Sequence, residues 1–269
     1  MTFAPDFYSA FSCRASACRH SCCRGWEIDV DEAALRRYAS VPGALGQKLR
    51  ASVYQDDDGA HFRLTADERC PFLQRDGLCE LICRLGKDAL CDICALHPRF
   101  FLSYGEYELA GLGLSCEAVC DLLLRGAGPL TLVCAETGER RTLSELLCLS
   151  PERLVFDGAP VSAAYLARAE RTEPIDDAWP RELERLCRDL ASCPPLPAGE
   201  RYDRILQYIL FRQLDRLEDL PPEALIAFAR DSAAFVAAQD VLYGESPEHL
   251  RRWSEQMEYS TENIERLLS

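Results

Sequence analysis

Apolar residues recur at helical spacing through the second half of the chain. A period of about 3.6 residues predicts helices over residues 161–170, 176–191, 201–219, 222–243 and 247–268. In the third of these, Ile205, Tyr208 and Ile209 fall on one side. Pro221-Pro222 separates the third helix from the fourth, and a proline at a helix start leaves no hydrogen bond unmade. This half of the chain is therefore predicted to be helical.

The first half has shorter apolar runs, which turn residues interrupt. A helical stripe predicts a helix from Asp31 to about Val53, bent or broken at Pro42-Gly43. Other patterns predict short helices over 78–85, 117–124 and 142–149. Short strands are predicted over 61–65 and 107–114, and a hairpin over 130–134 and 140–142.

These patterns together predict a mainly α fold with a few short strands. A cysteine-rich metal domain is expected over residues 1–128 and a helical domain over residues 129–269. The stretch Gly126–Pro129 has the composition of a linker between them.

Charge and hydropathy narrow the classes of function. The net charge of −14 disfavours binding to nucleic acid through a basic surface. The sequence contains no run of 18 apolar residues, so no membrane span is expected. The first eleven residues have neither the basic nor the apolar region of a signal peptide, so we expect a cytoplasmic protein.

Cysteine is the most unusual component of the composition. The chain has 15 cysteines, and most of them lie between Cys13 and Cys134. Disulfide scaffolds are usually short secreted chains, and this chain is neither short nor evidently exported. In a reducing compartment, clustered thiols are typical of metal ligands or redox groups.

The spacing of the cysteines favours metal binding. A Cys-x2-Cys pair such as Cys91/Cys94 lets two thiolates converge on one metal ion. A Cys-x3-Cys pair on a helix, such as Cys18/Cys22, puts two sulfurs on one face. The candidate ligands are Cys13, Cys18, Cys22, Cys23, Cys70, Cys79, Cys91, Cys94 and Cys116.

The irregular spacing favours an iron–sulfur cluster, with [4Fe–4S] as the expected form, because an inorganic core spans gaps between distant loops. Zinc is the alternative, and inert or redox thiols are a third possibility. The isolated cysteines Cys148, Cys187 and Cys193 are predicted to be small buried hydrophobic residues. His97 is predicted to be a packed or surface residue, and Trp26 a core anchor.

The sequence lacks the common nucleotide-binding and hydrolase signatures. It has no Gly-x-Gly-x-x-Gly opening a helix, no phosphate-binding Gly-x4-Gly-Lys-Ser/Thr and no Gly-x-Ser-x-Gly elbow. The cysteine spacing also departs from the Cys-x3-Cys-x2-Cys spacing of radical S-adenosylmethionine enzymes.

The order of the cysteine motifs is more specific than any one of them. Cys13…Cys18…Cys22-Cys23-Arg-Gly-Trp26, then Cys70-Pro-Phe-Leu, Gly77-Leu-Cys79, Cys91-x2-Cys94-x2-His-Pro-Arg99 and Ser115-Cys116 resemble the flagellin lysine N-methylase family. That family lies within the zinc/iron-chelating cysteine-cluster proteins. The segments 208–212 and 258–265 also look like family segments. His97 stands where the family pattern has an aromatic tyrosine, Cys83 and Cys120 look extra, and the middle of the chain looks trimmed.

The resemblance implies methyl transfer from S-adenosylmethionine to lysine side chains of flagellin or another lysine-bearing protein, with a metal cluster involved. A lysine ammonium must lose its proton before it can attack, so a partly desolvated pocket with a base is expected. The candidate catalytic residues are Tyr208, Arg212, Glu258 and Tyr259, with Glu262 and Asn263 nearby.

Two other functions remain open. One is a non-enzymatic zinc/iron-chelating protein that stores, delivers or senses a metal. The other is a redox or scaffold protein whose cluster is structural. The helical second half favours the enzyme, because a simple chelating module needs little beyond Gly128.

Overall fold

Helices dominate the fold in the computed structural model of the protein, which describes residues 1–258 and 260–269. Helical residues make up 50% and strand residues 13%, so the predicted mainly α class is confirmed. Among the described residues, no helix combines the length and apolar character needed to cross a bilayer.

The α-helices, in chain order, are α1 (Glu32–Ser40), α2 (Gly43–Ser52), α3 (Glu80–Leu85), α4 (Asp92–Leu96), α5 (Glu117–Arg125), α6 (Leu143–Leu146), α7 (Ala163–Ala169), α8 (Trp179–Asp189), α9 (Glu200–Phe211), α10 (Pro222–Tyr243), α11 (Pro247–Met257) and α12 (Thr261–Leu268). The strands are β1 (Thr2–Pro5), β2 (Val53–Gln55), β3 (Ala60–Phe62), β4 (Arg99–Tyr104), β5 (Tyr107–Leu112), β6 (Thr131–Cys134) and β7 (Arg140–Thr142).

The chain divides into two compact units. The larger unit contains residues 1–11 and 99–269, and the smaller unit contains residues 12–98. This division differs from the predicted boundary between residues 128 and 129. The reason is that β1 pairs with β5 on one side and with β6 on the other, so strands from both sides of that boundary belong to one sheet.

The sheet of the larger unit has the order β4-β5-β1-β6-β7. β1 runs parallel to β5 and antiparallel to β6, and Phe3 faces the core with no exposed surface. The predicted hairpin is confirmed as the antiparallel pair β6–β7. Strands β1 and β4 were not predicted, because β1 has only four residues and the sequence of β4, Arg99-Phe-Phe-Leu-Ser-Tyr104, does not alternate between apolar and polar residues.

The helix over 222–243 was predicted with its observed bounds, but several other helices of the larger unit were predicted longer than they are. The predicted helix over 201–219 ends at Phe211, because the backbone of Gln213 leaves helical values and a 3-10 turn follows at Leu214–Glu218. The predicted helix over 247–268 is two helices, α11 and α12. Ser260 begins the second one, since its side chain accepts a hydrogen bond from the backbone N–H of Asn263 at 3.1 Å.

The smaller unit packs two short helices against a two-stranded hairpin. The break predicted at Pro42-Gly43 is confirmed, since α1 ends at Ser40 and α2 begins at Gly43. Its core is aromatic: the rings of Tyr38 and Phe62 are 5.8 Å apart, and those of Phe62 and Phe72 are 5.0 Å apart. Cysteine side chains complete this core, as described below.

Candidate functional site

Five cysteines of the smaller unit lie in one cluster around its aromatic core. They are Cys23, Cys70, Cys79, Cys91 and Cys94, and all five are thiols rather than disulfides. Each was predicted as a metal ligand. Cys70 and Cys91 are buried, and the other three are half-buried. We call this group the thiol cluster.

Short backbone contacts bring these cysteines together. The N–H of Cys70 donates to the carbonyl of Cys23 at 2.8 Å, which joins the first cysteine motif to the second. Leu73 and Cys79 form an isolated antiparallel bridge, so the loop between them folds back on itself. Cys91 precedes α4 and Cys94 lies within it, one turn apart. The family-like motifs therefore meet because each ends in a tight turn.

The protonation of the thiol cluster is set by burial and by its own hydrogen bonds. Burial raises the pKa of Cys70 to about 12. A hydrogen bond from Cys22 lowers the pKa of Cys23 to about 7, although burial opposes it. Cys94 donates to Cys91, so the pKa of Cys94 is raised and that of Cys91 is lowered. A bound cation favours thiolates at all of these positions.

The donor set fits a thiolate-bound metal centre. Four of the five sulfurs are enough for a tetrahedral ion or for the four corners of a cubane cluster. Among the described residues, no three of these sulfur atoms lie within 4.8 Å of one another. Zinc–sulfur bonds of about 2.3 Å hold sulfurs about 3.8 Å apart, and the hydrogen bond between the Cys91 and Cys94 side chains brings one pair of sulfurs into contact.

The remaining predicted ligands lie outside the thiol cluster, although Cys22 contacts it through its hydrogen bond with Cys23. Cys13 and Cys22 are exposed and Cys18 is half-buried. The N–H of Ala15 donates to the Cys13 sulfur at 3.3 Å, and Cys18 donates to the carbonyl of His20 at 3.2 Å. Cys116 is half-buried and belongs to the larger unit, where it precedes α5. Their roles as ligands stay predictions.

Other predictions for the cysteine motifs have mixed outcomes. The prediction that Cys148 is buried is wrong, because it lies exposed at the end of α6 with φ 53°. Cys187 and Cys193 pack half-buried against the main core. Trp26 is half-buried, and its ring lies 5.6 Å from that of His97. Burial lowers the pKa of His97, which favours its neutral form.

The predicted catalytic residues Tyr208, Arg212 and Glu258 meet in the larger unit. The Tyr208 hydroxyl accepts from the N–H of Leu112 at 2.8 Å and donates to the carbonyl of Leu112 at 2.7 Å. Arg212 Nε donates to Glu258 Oε1 at 2.6 Å, and its guanidinium lies 4.7 Å from the Phe100 ring centre. Tyr259, the fourth predicted residue, lies outside the described residues.

This buried group joins three elements. Tyr208 and Arg212 come from α9 and its C-terminal end, Leu112 ends β5, and Glu258 follows α11. Ser254, which the sequence did not single out, donates to the second oxygen of Glu258. Burial raises the pKa of Tyr208, so its hydroxyl keeps its proton. The geometry gives these side chains a clear structural task; their catalytic role stays a prediction.

Asn263 and Glu262 differ in their surroundings. Asn263 is fully buried and exchanges two hydrogen bonds with the backbone of Glu173, at 2.7 and 3.0 Å. It therefore fixes α12 to the loop before α8. Glu262 lies exposed in the first turn of α12.

An acidic groove in the smaller unit was not predicted. It has a volume of about 650 Å³ and lies between the start of α1, the β2–β3 turn and the start of α4. The buried ring of His61 lies at its base. The carboxylates that line it are Asp29, Asp31, Glu32, Asp56, Asp58 and Asp92. The run Asp56-Asp57-Asp58-Gly59 was visible in the sequence, but only folding brings Asp29 and Asp92 beside it.

Comparison with known proteins supports the family resemblance. Two proteins named Lysine-N-methylase, from Salmonella typhimurium and Salmonella choleraesuis, are each 27% identical to the chain over 203 residues. These residues are 68% of the chain and 51% of each relative, so the chain spans about half the length of these curated relatives. The Flagellar biosynthetic protein FliU of Salmonella muenchen is 29% identical over 146 residues, which are 52% of the chain and 83% of that protein.

No protein-family model matches the chain. No solved structure matches it either. The chain is nevertheless similar in sequence to proteins named Lysine-N-methylase, in agreement with the predicted family resemblance.

Proposed function

We propose that the chain acts as a protein-lysine N-methyltransferase. The observation that carries this proposal is its similarity to proteins named Lysine-N-methylase, which extends over 68% of the chain. The similarity to a protein named as a flagellar biosynthetic protein supports flagellin, or another lysine-bearing protein, as the substrate. S-adenosylmethionine is the proposed methyl donor, as the resemblance implies.

The proposed metal centre is an iron–sulfur cluster in the smaller unit, with zinc as the alternative. Four sulfurs from the thiol cluster (Cys23, Cys70, Cys79, Cys91 and Cys94) would hold it. When bound, it supplies free energy for folding, because a metal centre held by thiolates binds the folded unit and not the unfolded chain. The irregular spacing of the cysteines along the sequence supports the cluster over zinc.

The proposed role of the larger unit is to bind and deprotonate the lysine. Glu258 is the proposed base, held in place by Arg212 and Ser254. A base must reach the ammonium proton and the amine must then face the methyl donor in line. The net charge of −14 draws a basic segment toward the protein at low salt. A centre of reduced thiols supports a cytoplasmic location.

A second candidate function is metal handling without catalysis. The observation in its favour is that all five clustered thiols belong to the smaller unit, which has its own core. Such a unit needs nothing from the helices of the larger one to hold a metal.

One experiment separates the two functions. The chain, prepared without oxygen, is co-expressed with flagellin of the same organism, and flagellin is examined by mass spectrometry for added methyl groups on lysine. We expect methylated lysines with the natural chain and fewer with Glu258→Gln, at unchanged iron and sulfide content. Unmethylated flagellin together with no binding of S-adenosylmethionine to the iron-loaded protein contradicts the enzyme and favours metal handling.

A further inference from the structure

His61 is a buried histidine that is surrounded by carboxylates. Its side chain is only 5% exposed. Its Nδ1 lies 3.0 Å from Asp29 Oδ1 and 3.6 Å from Glu27 Oε1, and its Nε2 lies 3.1 Å from Asp56 Oδ1. The ligand atoms of Glu27, Asp29 and His61 all lie within 4.8 Å of one another.

We propose that Glu27, Asp29 and His61 form a binding site for a divalent first-row metal ion, separate from the thiol cluster. Two carboxylate oxygens converge on one ring nitrogen, and a positive charge between these electron-rich atoms, on a metal ion or a proton, offsets their repulsion. Metal–ligand bonds of about 2.0–2.2 Å place neighbouring ligand atoms about 3.0–3.6 Å apart. The two measured separations at Nδ1, 3.0 and 3.6 Å, have this size.

The other nitrogen of His61 has the partner that a metal-binding histidine needs. Histidine ligands almost always donate their second N–H to a carboxylate or carbonyl, which fixes the ring orientation and the tautomer. Here Nε2 donates to Asp56. The same Asp56 oxygen accepts from the N–H of Asp58 at 3.1 Å and of Gly59 at 3.2 Å, so the turn after β2 holds it still.

The backbone holds the three ligands in register. Asp29 and His61 form an isolated antiparallel bridge. Hydrogen bonds flank it on both sides, from Val30 N–H to the Ala60 carbonyl at 2.7 Å and from Phe62 N–H to the Ile28 carbonyl at 2.9 Å. Glu27 is held separately, since the Tyr54 hydroxyl donates to its Oε1 at 2.5 Å. The ligands are therefore positioned before any ion binds.

The chemistry of the site selects the class of ion. One imidazole nitrogen and two carboxylates suit Mn²⁺, Fe²⁺ or Zn²⁺ better than Ca²⁺ or Mg²⁺, which prefer oxygen alone. Asp29 and His61 border the acidic groove, so open coordination positions face a space of about 650 Å³. No arginine or lysine is among the described residues that line this groove. Water or an anionic group of a ligand has room to complete the coordination.

A proton is the competing occupant of the same position. Burial lowers the pKa of His61, but the carboxylates of Asp29, Glu27 and Asp56 together raise it above its ordinary value. An imidazolium ion would then donate to Asp29 and Asp56 without any metal. Arg63, 5.1 Å from the Tyr54 ring centre, is the nearby cation on the outer side of that ring. The test must therefore separate metal binding from protonation.

Titration with Mn²⁺ provides that test, since Mn²⁺ binds thiolates weakly and leaves the cysteine centre out of the measurement. The full chain, with its cysteine centre loaded, is titrated near pH 7.5 while the free Mn²⁺ signal is followed by electron paramagnetic resonance. We expect one Mn²⁺ per chain. Glu27→Gln and Asp29→Asn, both at exposed positions, should each weaken binding by about tenfold or more, and Asp56→Asn by about tenfold through the ring orientation.

Asp58→Asn is the matched control, because Asp58 lines the same groove and touches none of the ring nitrogens. It should bind Mn²⁺ as the natural chain does. If Asp58→Asn weakened Mn²⁺ binding as much as the ligand variants do, binding would reflect non-specific attraction by the acidic side chains. This result would overturn the proposal. Absence of Mn²⁺ binding at millimolar concentration would also overturn it and leave His61 as a protonated imidazolium. Circular dichroism and iron content check that each variant is folded.

Discussion

In the larger unit, single side chains make hydrogen bonds to backbone groups at the ends of other secondary-structure elements. The Tyr208 hydroxyl bonds both the N–H and the carbonyl of Leu112, the last residue of β5. Arg204, only 1% exposed, donates to the carbonyl of Leu123 at 3.0 Å near the end of α5. Both side chains come from α9. Tyr208, a candidate for chemistry in the sequence, thus also bonds buried backbone groups.

Tyr208→Phe isolates the structural part of this role. The change leaves both backbone groups of Leu112 buried without the hydroxyl, so we expect a loss of about 1–3 kcal/mol in the free energy of unfolding. Urea denaturation followed by circular dichroism measures it. Tyr104→Phe is the control, because the Tyr104 hydroxyl makes no hydrogen bond with the described residues. Its expected loss in the free energy of unfolding is near zero. Equal stability of the two variants would show that the Leu112 contact is not stabilising.

Asp240 is a second residue whose charge is enclosed. Its carboxylate accepts from Arg201 Nε at 3.0 Å, His249 Nδ1 at 2.7 Å and the N–H of Ser246 at 3.1 Å. Burial raises the pKa of Asp240, but these partners lower it below the ordinary 3.8. A carboxyl whose pKa is lower in the folded than in the unfolded state stabilises the fold at pH values above its unfolded pKa. This contribution is lost as the pH falls through the folded pKa.

Asp240→Asn should therefore destabilise the protein in a pH-dependent way. At pH 7 we expect a loss of about 3 kcal/mol, because the Arg201 guanidinium loses its buried anionic partner. The difference from the natural chain should shrink as the pH falls below about 4. Unfolding by urea at several pH values measures it, with the exposed Asp177→Asn as control. A difference that stays constant down to pH 3 contradicts the assignment.

At the scale of elements, the sequence predicted whether a segment is a helix or a strand better than it predicted where the element begins and ends. Helices α1, α2, α5, α8 and α10 were visible because their apolar stripes are regular and prolines or glycines mark their ends. The division between α11 and α12 was missed, although Ser260 three residues before Asn263 is the cap that begins α12. The spacing of apolar residues continues from α11 into α12, and this periodicity alone does not reveal a helix cap.

Long-range pairing explains what could not be predicted. β1 is too short for its pattern to be read, and it becomes a central strand only because β5 and β6 lie on both sides of it. The thiol cluster was predicted in part. The motifs identified its cysteines, but they did not indicate that Cys116 belongs to the larger unit. The group formed by Glu27, Asp29 and His61 could not be predicted from the sequence. These residues share no motif and meet through one antiparallel bridge.

At the scale of the whole molecule, the two units have separate cores. The core of residues 12–98 is small: Tyr38, Phe62 and Phe72 pack with several aliphatic side chains and with the buried Cys70 and Cys91. The larger unit has an extensive core that includes α9 and α10. Burial of apolar surface scales with core size, so the smaller unit has less free energy of folding from its own core, and the proposed metal centre would add to it.

Metal loss should consequently unfold one unit and spare the other. Cys91→Ser or Cys94→Ser removes a ligand, so we expect loss of bound metal and, on heating, an early transition of residues 12–98 that is distinct from the transition of the larger unit. Cys187→Ser and Cys193→Ser, in the larger unit, should keep both the metal and a single late transition. Hydrogen exchange read by mass spectrometry assigns each transition to its residues. A smaller unit that stays protected after ligand loss would mean that its thiols and apolar side chains form a core in their own right, and the proposed metal centre would lose its structural support.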